Sequence, residues 1–296
     1  MAENSDAFSE DLERNHMPSK WGVRLKGDDL INYYLSTSVK NSNAFKSDFK
    51  GHLNVVYGER PEEKMDIFGY DTVPQDAPVV IFFHGGYWIA GNKDMHSFVA
   101  KSFVLAGIAV VIAGYPLAPK VTLDDIVASG KRCAKKVVDM SLRKRSAGVF
   151  LSGHSAGAHI AAMILSDKAW MSESKGHVKG AVLFSGVYDT LPLLRTSVAR
   201  DAGITIEQAT RACPLLKFSD IPANVKVLIV VAEHDPPPFH EQAQVYKEKL
   251  FERNVHVEFL KYPGDDHFTF FESLMDRENE VTQRIVQFVL RGCQKI

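Results

Sequence analysis

Residues 150–159 read Phe-Leu-Ser-Gly-His-Ser-Ala-Gly-Ala-His. The run from Ala147 to Leu151 predicts a buried strand, and Ala156 to Leu165 predicts a helix. Gly153-His154-Ser155-Ala156-Gly157 must turn the chain from one to the other. This is the G-x-S-x-G arrangement, in which a serine sits on a sharp strand-to-helix turn. The two glycines suit such a turn because a missing Cβ lets neighbouring backbone pass close. Ser155 would then lie at the positive end of the following helix, where developing negative charge is favoured. On the pentapeptide alone, a glycine-rich turn that caps a helix explains the residues equally well. The rest of the chain has to choose.

The 296 residues are 45% hydrophobic and 24% charged, with a formal net charge of -1. That is ample for one large core, and the balance gives no sign of a nucleic-acid partner. Arg143-Lys144-Arg145 is a compact basic cluster, expected to be a solvated loop between a helix and a strand. Cys133, Cys213 and Cys293 are widely spaced, so neither a disulfide framework nor a zinc site is expected. The eleven histidines include no H-E-x-x-H pair. Met1 to Trp21 carries no apolar signal-like stretch, and no run is long enough to span a membrane. The expectation is a cytoplasmic protein without membrane, metal or cofactor, whose partner is a small molecule. The oligomeric state stays open, a homodimer included.

Taken in order, the chain alternates. Residues 1–50 read as an N-terminal extension, with Ile31 to Leu35 on a helix, Ser36 to Lys50 a polar stretch, and the first ten or so residues a leader that is equally well disordered. Strands are predicted at 53–57, 64–68, 79–83, 108–112, 180–184, 225–231 and 255–262. Helices are predicted from Met95 to Ala106, from Thr122 onward with a capping-box pattern, from Phe239 to Glu252, and from Phe271 to Leu290. Residues 188–222 interrupt the alternation and read as a small cap insertion. Hydrophobic strands alternating with helices imply an α/β fold: one domain over 1–296, with a mostly parallel sheet covered on both faces.

A serine hydroxyl needs a base to take its proton, and the base needs an acid to orient it. Open α/β sheets place such groups just beyond the carboxyl ends of strands. The strand at 225–231 runs into Glu233-His234-Asp235-Pro236-Pro237-Pro238, where Asp235 lies further into the loop than Glu233. Among the histidines, His159 rides on the helix after Ser155. His177, His234, His240 and His256 occupy the wrong positions relative to strands or to the acid. His267 directly follows a strand, in Tyr262-Pro263-Gly264-Asp265-Asp266-His267, with Asp265 and Asp266 expected in solvent. His84-Gly85-Gly86, after the strand at 79–83, offers uncrowded backbone N–H groups for an oxyanion, and Ala156 offers a second donor.

His84-Gly85-Gly86-Tyr87-Trp88, Gly153-His154-Ser155-Ala156-Gly157 and the order Ser155, Asp235, His267 together resemble the α/β-hydrolase superfamily, near its hormone-sensitive-lipase-like esterases. The chain is most similar to the kynurenine formamidase (arylformamidase) family, which carries H-G-G-x-W where many esterases carry H-G-G-G. That family also shows similar sequence around Ala212-Cys213-Pro214-Leu215 and Glu233-His234-Asp235. The resemblance covers roughly residues 50–290. It implies cofactor-independent hydrolysis of the aryl formamide N-formyl-L-kynurenine through a formyl-enzyme intermediate. Ser155 would be the nucleophile, His267 the base, Asp235 its orienting acid, and Gly85, Gly86 and Ala156 the oxyanion hole. Tyr87, standing where esterases have a third glycine, would narrow the acyl side. Trp88 would either pack beneath the loop or face the substrate. Phe268, Phe270 and Phe271 are candidates for an aryl pocket or for core. A carboxylesterase of small acyl esters would use the same residues, and a non-catalytic ligand-binding protein is the alternative outside enzymes.

Overall fold

Val79-Val80-Ile81-Phe82-Phe83 has no polar residue to show to water, so it must be covered on both faces. A computed structural model, describing residues 10–293, places it as β3 (Val79–Phe83) in an eight-stranded sheet. The others are β1 (Gly51–Val56), β2 (Lys64–Phe68), β4 (Ala109–Ala113), β5 (Val149–His154), β6 (Val178–Phe184), β7 (Lys226–Ala232) and β8 (His256–Tyr262). The order is β1-β2-β4-β3-β5-β6-β7-β8. β1–β2 and β2–β4 pair antiparallel, and the remaining pairs are parallel. The mixed, mostly parallel α/β fold expected from the alternation is therefore present.

Period-two alternation divides the core. Val79, Ile81 and Phe83 join one hydrophobic cluster, and Val80 and Phe82 join the other. The helices, in chain order, are α1 (Glu10–Asn15), α2 (Gly27–Asp48), α3 (Ala100–Leu105), α4 (Leu123–Lys144), α5 (Ala156–Leu165), α6 (Lys168–Glu173), α7 (Ser197–Ala202), α8 (Ile206–Arg211), α9 (Pro214–Lys217), α10 (Pro237–Glu252), α11 (Phe270–Leu274) and α12 (Glu280–Gly292). The first cluster packs under α4, α5 and α10 through residues such as Ile126, Ile160 and Tyr246. The second packs under α2, α3, α11 and α12 through Phe45, Phe103, Phe271 and Phe288.

Several sequence expectations need correction. The polar stretch after Leu35 is not separate, because α2 continues through it to Asp48 with Ser38, Ser42 and Phe45 buried. The leader lies largely in residues 1–9, outside those described, while Glu10–Asn15 is helical. Met95 to Ala106 is not one helix. His96, at φ -123°, separates two short 3-10 turns, and α3 begins only at Ala100. The basic cluster is not a loop: Arg143 and Lys144 end α4, where cations oppose the helix dipole, and Arg145 closes it in the left-handed region at φ 63°. The start of α4 is as read, with Thr122 and Asp125 capping each other. The C-terminal helix breaks after Leu274, because the Asn279 side chain accepts the Val281 and Thr282 N–H groups and starts α12 afresh. Residues 188–222 form short helical pieces between β6 and β7.

Candidate active site

β5 runs through His154, and the chain reverses at Ser155 with φ 54° and ψ -118°. A non-glycine residue in this sparsely populated region is strained, and the surroundings hold it there. Its N–H donates to Phe184 O at 2.8 Å, and α5 starts at the next residue. The flanking glycines are geometric necessities. A Cβ on Gly157 would lie 2.0 Å from Phe83 O, and one on Gly153 would lie 2.3 Å from the Gly157 carbonyl.

β8 and the turn after it deliver His267, and the end of β7 delivers Asp235. The two are 2% and 3% exposed, and His267 Nδ1 lies 2.6 Å from Asp235 Oδ1. An ionised carboxylate only accepts, so Nδ1 carries the proton and Nε2 is left as the basic nitrogen. Asp235 Oδ2 accepts from the Ser185 hydroxyl at 2.5 Å and from Ala232 N–H at 2.8 Å. Ser185 is itself strained, at φ 45°. Ser155 and His267 both line one cavity. The His267 ring is wedged between Phe239, Phe268 and His154, at centroid distances of 5.0, 5.3 and 4.4 Å.

Asp266 is not in solvent. It is fully buried, accepting Phe268 and Thr269 N–H on Oδ1 and, from far along the chain, Val23 N–H on Oδ2 at 2.8 Å. Asp265, partly buried, accepts from the Ser273 hydroxyl at 2.6 Å.

After β3 the chain takes three successive positive φ angles, 113° at Gly86, 46° at Tyr87 and 63° at Trp88. Gly85 lies against the nucleophile, since a Cβ there would come within 3.2 Å of Ser155 Cβ and 2.8 Å of His154 Nδ1. Ala156 is the first residue of α5, so its N–H has no partner within the helix. Behind the loop, His84 Nδ1–H donates to Gly85 O at 2.8 Å, and the Tyr115 hydroxyl donates to His84 O at 2.6 Å. Burial pushes the His84 imidazole down to about 3 and that of His96, stacked on it, down to about 4. Burial, with His267 nearby, also holds His154 well below the ordinary histidine range. The histidine that packs on the base, His154, is thus held in its neutral form.

The two tentative substrate residues separate. Tyr87 lines the cavity and donates its hydroxyl to His16 O. Trp88 does not line it. The left-handed backbone turns the indole into the core, where it is fully buried and edge-on to His159. Its Nε1–H donates to His159 Nδ1 at 3.2 Å, and His159 Nε2–H donates to Ala212 O at 2.6 Å, tying the loop to α5 and to the insertion. Of the three phenylalanines, Phe268 lines the cavity, while Phe270 and Phe271 are core.

The cavity, about 210 Å³, carries residues that sequence reasoning missed: Met17, Pro18, Ile31, Tyr34 and Leu35 from the N-terminal segment, and Met95 and His96 from the loop after β3. Among the described residues, no Asp, Glu, Lys or Arg lines it, and none of residues 188–222 reaches it. The helical spacing of Ile31, Tyr34 and Leu35 was a legible signal for one apolar face. What that face covers was not legible. Among the described residues, no group of three or more His, Cys, Asp or Glu side chains is arranged to hold a metal ion.

The α/β hydrolase fold family matches residues 80–271. A kynurenine formamidase of Salmo salar is 35% identical over 295 residues, covering 98% of this chain and 99% of its own length. One of Danio rerio is 33% identical over 292 residues, again covering 98% and 99%. A solved structure from Silicibacter superposes with a TM-score of 0.76 at 24% identity, over 93% of this chain and 98% of that one, a likeness of fold alone.

Proposed function

The chain belongs to the kynurenine formamidase family of the α/β hydrolases, and we propose that its Ser155, His267 and Asp235 cleave the formyl amide of N-formyl-L-kynurenine to L-kynurenine and formate. The observation that carries this reading is the buried Asp235–His267 hydrogen bond, which presents Nε2 as a base in the cavity that also holds the strained Ser155.

Ser155 Oγ attacks the formyl carbon while His267 Nε2 takes the hydroxyl proton. The imidazolium that forms is stabilised by the Asp235 carboxylate. Negative charge on the former carbonyl oxygen is met by N–H groups of Gly85, Gly86 and Ala156, each donor worth about 10²–10³ in rate. His267 then gives its proton to the leaving arylamine, the C–N bond breaks, and a formyl ester remains on Ser155. Water, deprotonated by His267, attacks this ester. Formate leaves and Ser155 recovers its proton.

Tyr87 supports the preference for a one-carbon acyl group, because its ring lines the cavity in the loop where a third glycine would leave space. A cytoplasmic location belongs to the same proposal and is supported by three cysteines that remain free thiols. No helix among the described residues is long and apolar enough to cross a membrane.

The test is turnover of N-formylkynurenine against p-nitrophenyl acetate by the wild type and by Ser155→Ala. A much higher kcat/KM for the formamide, lost in the variant, is expected. Ester turnover alone would replace the reading with a carboxylesterase, and binding without turnover of either substrate would replace it with a ligand-binding protein.

A further inference from the structure

The N-terminal segment is fastened to the rest of the molecule at several points, three of them on or beside residues of the catalytic cavity. Tyr87 in the oxyanion loop donates to His16 O. Val23 N–H donates to Asp266, the residue before the catalytic base. The Tyr34 hydroxyl lies 2.8 Å from His96 Nε2. His96 Nδ1 bonds the Asn92 carbonyl at 2.8 Å, which can only accept. Nδ1 therefore carries the ring proton, and Tyr34 is the donor to Nε2. Arg24 pairs with Glu272 at 2.7 Å, and Ser197 N–H donates to Glu13 at 2.8 Å.

Helix α2 has two apolar stripes with different partners. Leu30 and Phe45, 1% and 4% exposed, pack on the body of the protein. Ile31, Tyr34 and Leu35, at i, i+3 and i+4, share a second face and line the cavity, while Asn32 and Ser36 are exposed. Leu35 remains 39% exposed there. Together with Met17, Pro18 and Phe268 this face makes an uncharged wall of the cavity that Ser155 and His267 also line. Such a wall rewards a flat apolar group, and the thioether of Met17 suits contact with an aromatic ring.

We infer that residues 17–35, and not the insertion at 188–222, are the specificity element of this enzyme, with Ile31 and Leu35 forming the surface that holds the aryl part of the leaving group. The inference rests on the hydrolase reading of Ser155 and does not depend on the formamide as substrate.

The experiment compares kcat/KM for phenyl acetate with that for methyl acetate, two esters that share an acyl group and differ in the leaving group. Ile31→Ala and Leu35→Ala each lower the phenyl-to-methyl ratio about tenfold, through KM, because a few methylenes in an apolar subsite carry about that much discrimination. Ile206→Ala, at an exposed position on α8 of the insertion, leaves the ratio as it is. An unmoved ratio in the α2 variants, with or without an equal fall for both esters, overturns the inference. A fall confined to Ile206→Ala transfers the role to the insertion. In Ser155→Ala protein, which binds without turnover, Ile31→Ala raises the Kd for formanilide about tenfold on the same reasoning, and an unchanged Kd overturns the inference whichever ester is cleaved. Wild-type turnover of N-formylkynurenine is read separately. Its absence alongside a fallen ratio refutes the substrate and leaves the wall standing.

Discussion

Replacing Ser185 with alanine removes one of the hydrogen bonds that hold the catalytic carboxylate. Asp235 keeps the His267 ring on Oδ1 at 2.6 Å and Ala232 N–H on Oδ2 at 2.8 Å, but loses the hydroxyl at 2.5 Å. The site is 1% exposed at Ser185, so water does not readily take the vacated position. A hydrogen bond to a charged group contributes about 1.5–3 kcal/mol. For a chain of this size, that predicts a Tm lowered by roughly 2–5 °C. The bond exists in the ground state as well as the transition state, so only part of it reaches catalysis. A carboxylate held by one bond fewer positions the imidazole less well, and kcat falls about tenfold, well short of the roughly 10⁴ expected when the acid itself is neutralised. Ser185→Gly separates two contributions. Ser185 sits at φ 45°, where glycine is at ease and alanine is not. The glycine variant therefore recovers about 1 kcal/mol of stability relative to alanine, without recovering kcat. Urea unfolding and steady-state turnover of N-formylkynurenine measure both. Wild-type kcat in Ser185→Ala, or kcat restored by Ser185→Gly, would refute the assignment of the hydroxyl as a support for Asp235.

Three further outcomes follow from the same geometry. Asp266→Asn can still accept Phe268 and Thr269 N–H on one oxygen but turns an NH₂ toward Val23 N–H. It should lose about 1–3 kcal/mol, and limited proteolysis should cut faster within residues 17–25; unchanged cleavage would mean that Val23 is not a fastening point. Burial pushes His159 down to about 4 from an unfolded value near 6.5. Its stabilising contribution is therefore complete above pH 6.5 and lost as pH falls toward 4, and urea unfolding at pH 7 and pH 5 should show the wild type losing about 2 kcal/mol more than His159→Gln. Equal losses would remove that group from the acid response. Gly157→Ala forces a Cβ to within 2.0 Å of Phe83 O and 2.6 Å of His84 O. Destabilisation of at least about 3 kcal/mol is expected, and a soluble variant with wild-type Tm would contradict the close approach.

The central strands and the order of the catalytic side chains were legible because both are local. A five-residue apolar run ended by His84-Gly85-Gly86 announces its burial, and Ser155, Asp235 and His267 each follow a strand within a few residues. What was not legible depends on distant partners. Asp265-Asp266 reads as a polar turn, and only the Phe268, Thr269 and Val23 amides make Asp266 a buried carboxylate. Trp88 was ambiguous because its direction depends on left-handed backbone at residues 86–88, which composition suggests at the glycine and nowhere else. The C-terminal helix read as continuous because its apolar spacing carries across Asn279, and the capping bonds that restart it resemble ordinary polar surface in sequence. Ser185 follows a strand like many serines. Its hydroxyl acquires meaning only through Asp235, fifty residues later.

The bond between Val23 and Asp266 joins positions 243 residues apart. At about 5–20 residues per second on the ribosome, the donor is made roughly 12–50 s before the acceptor exists. Through that interval the segment before α2 lacks its latch, and His267 does not yet exist. Unfinished chains therefore have no competent site. Hydrolytic activity begins only after the last strand of the sheet and the turn that carries His267 have been delivered.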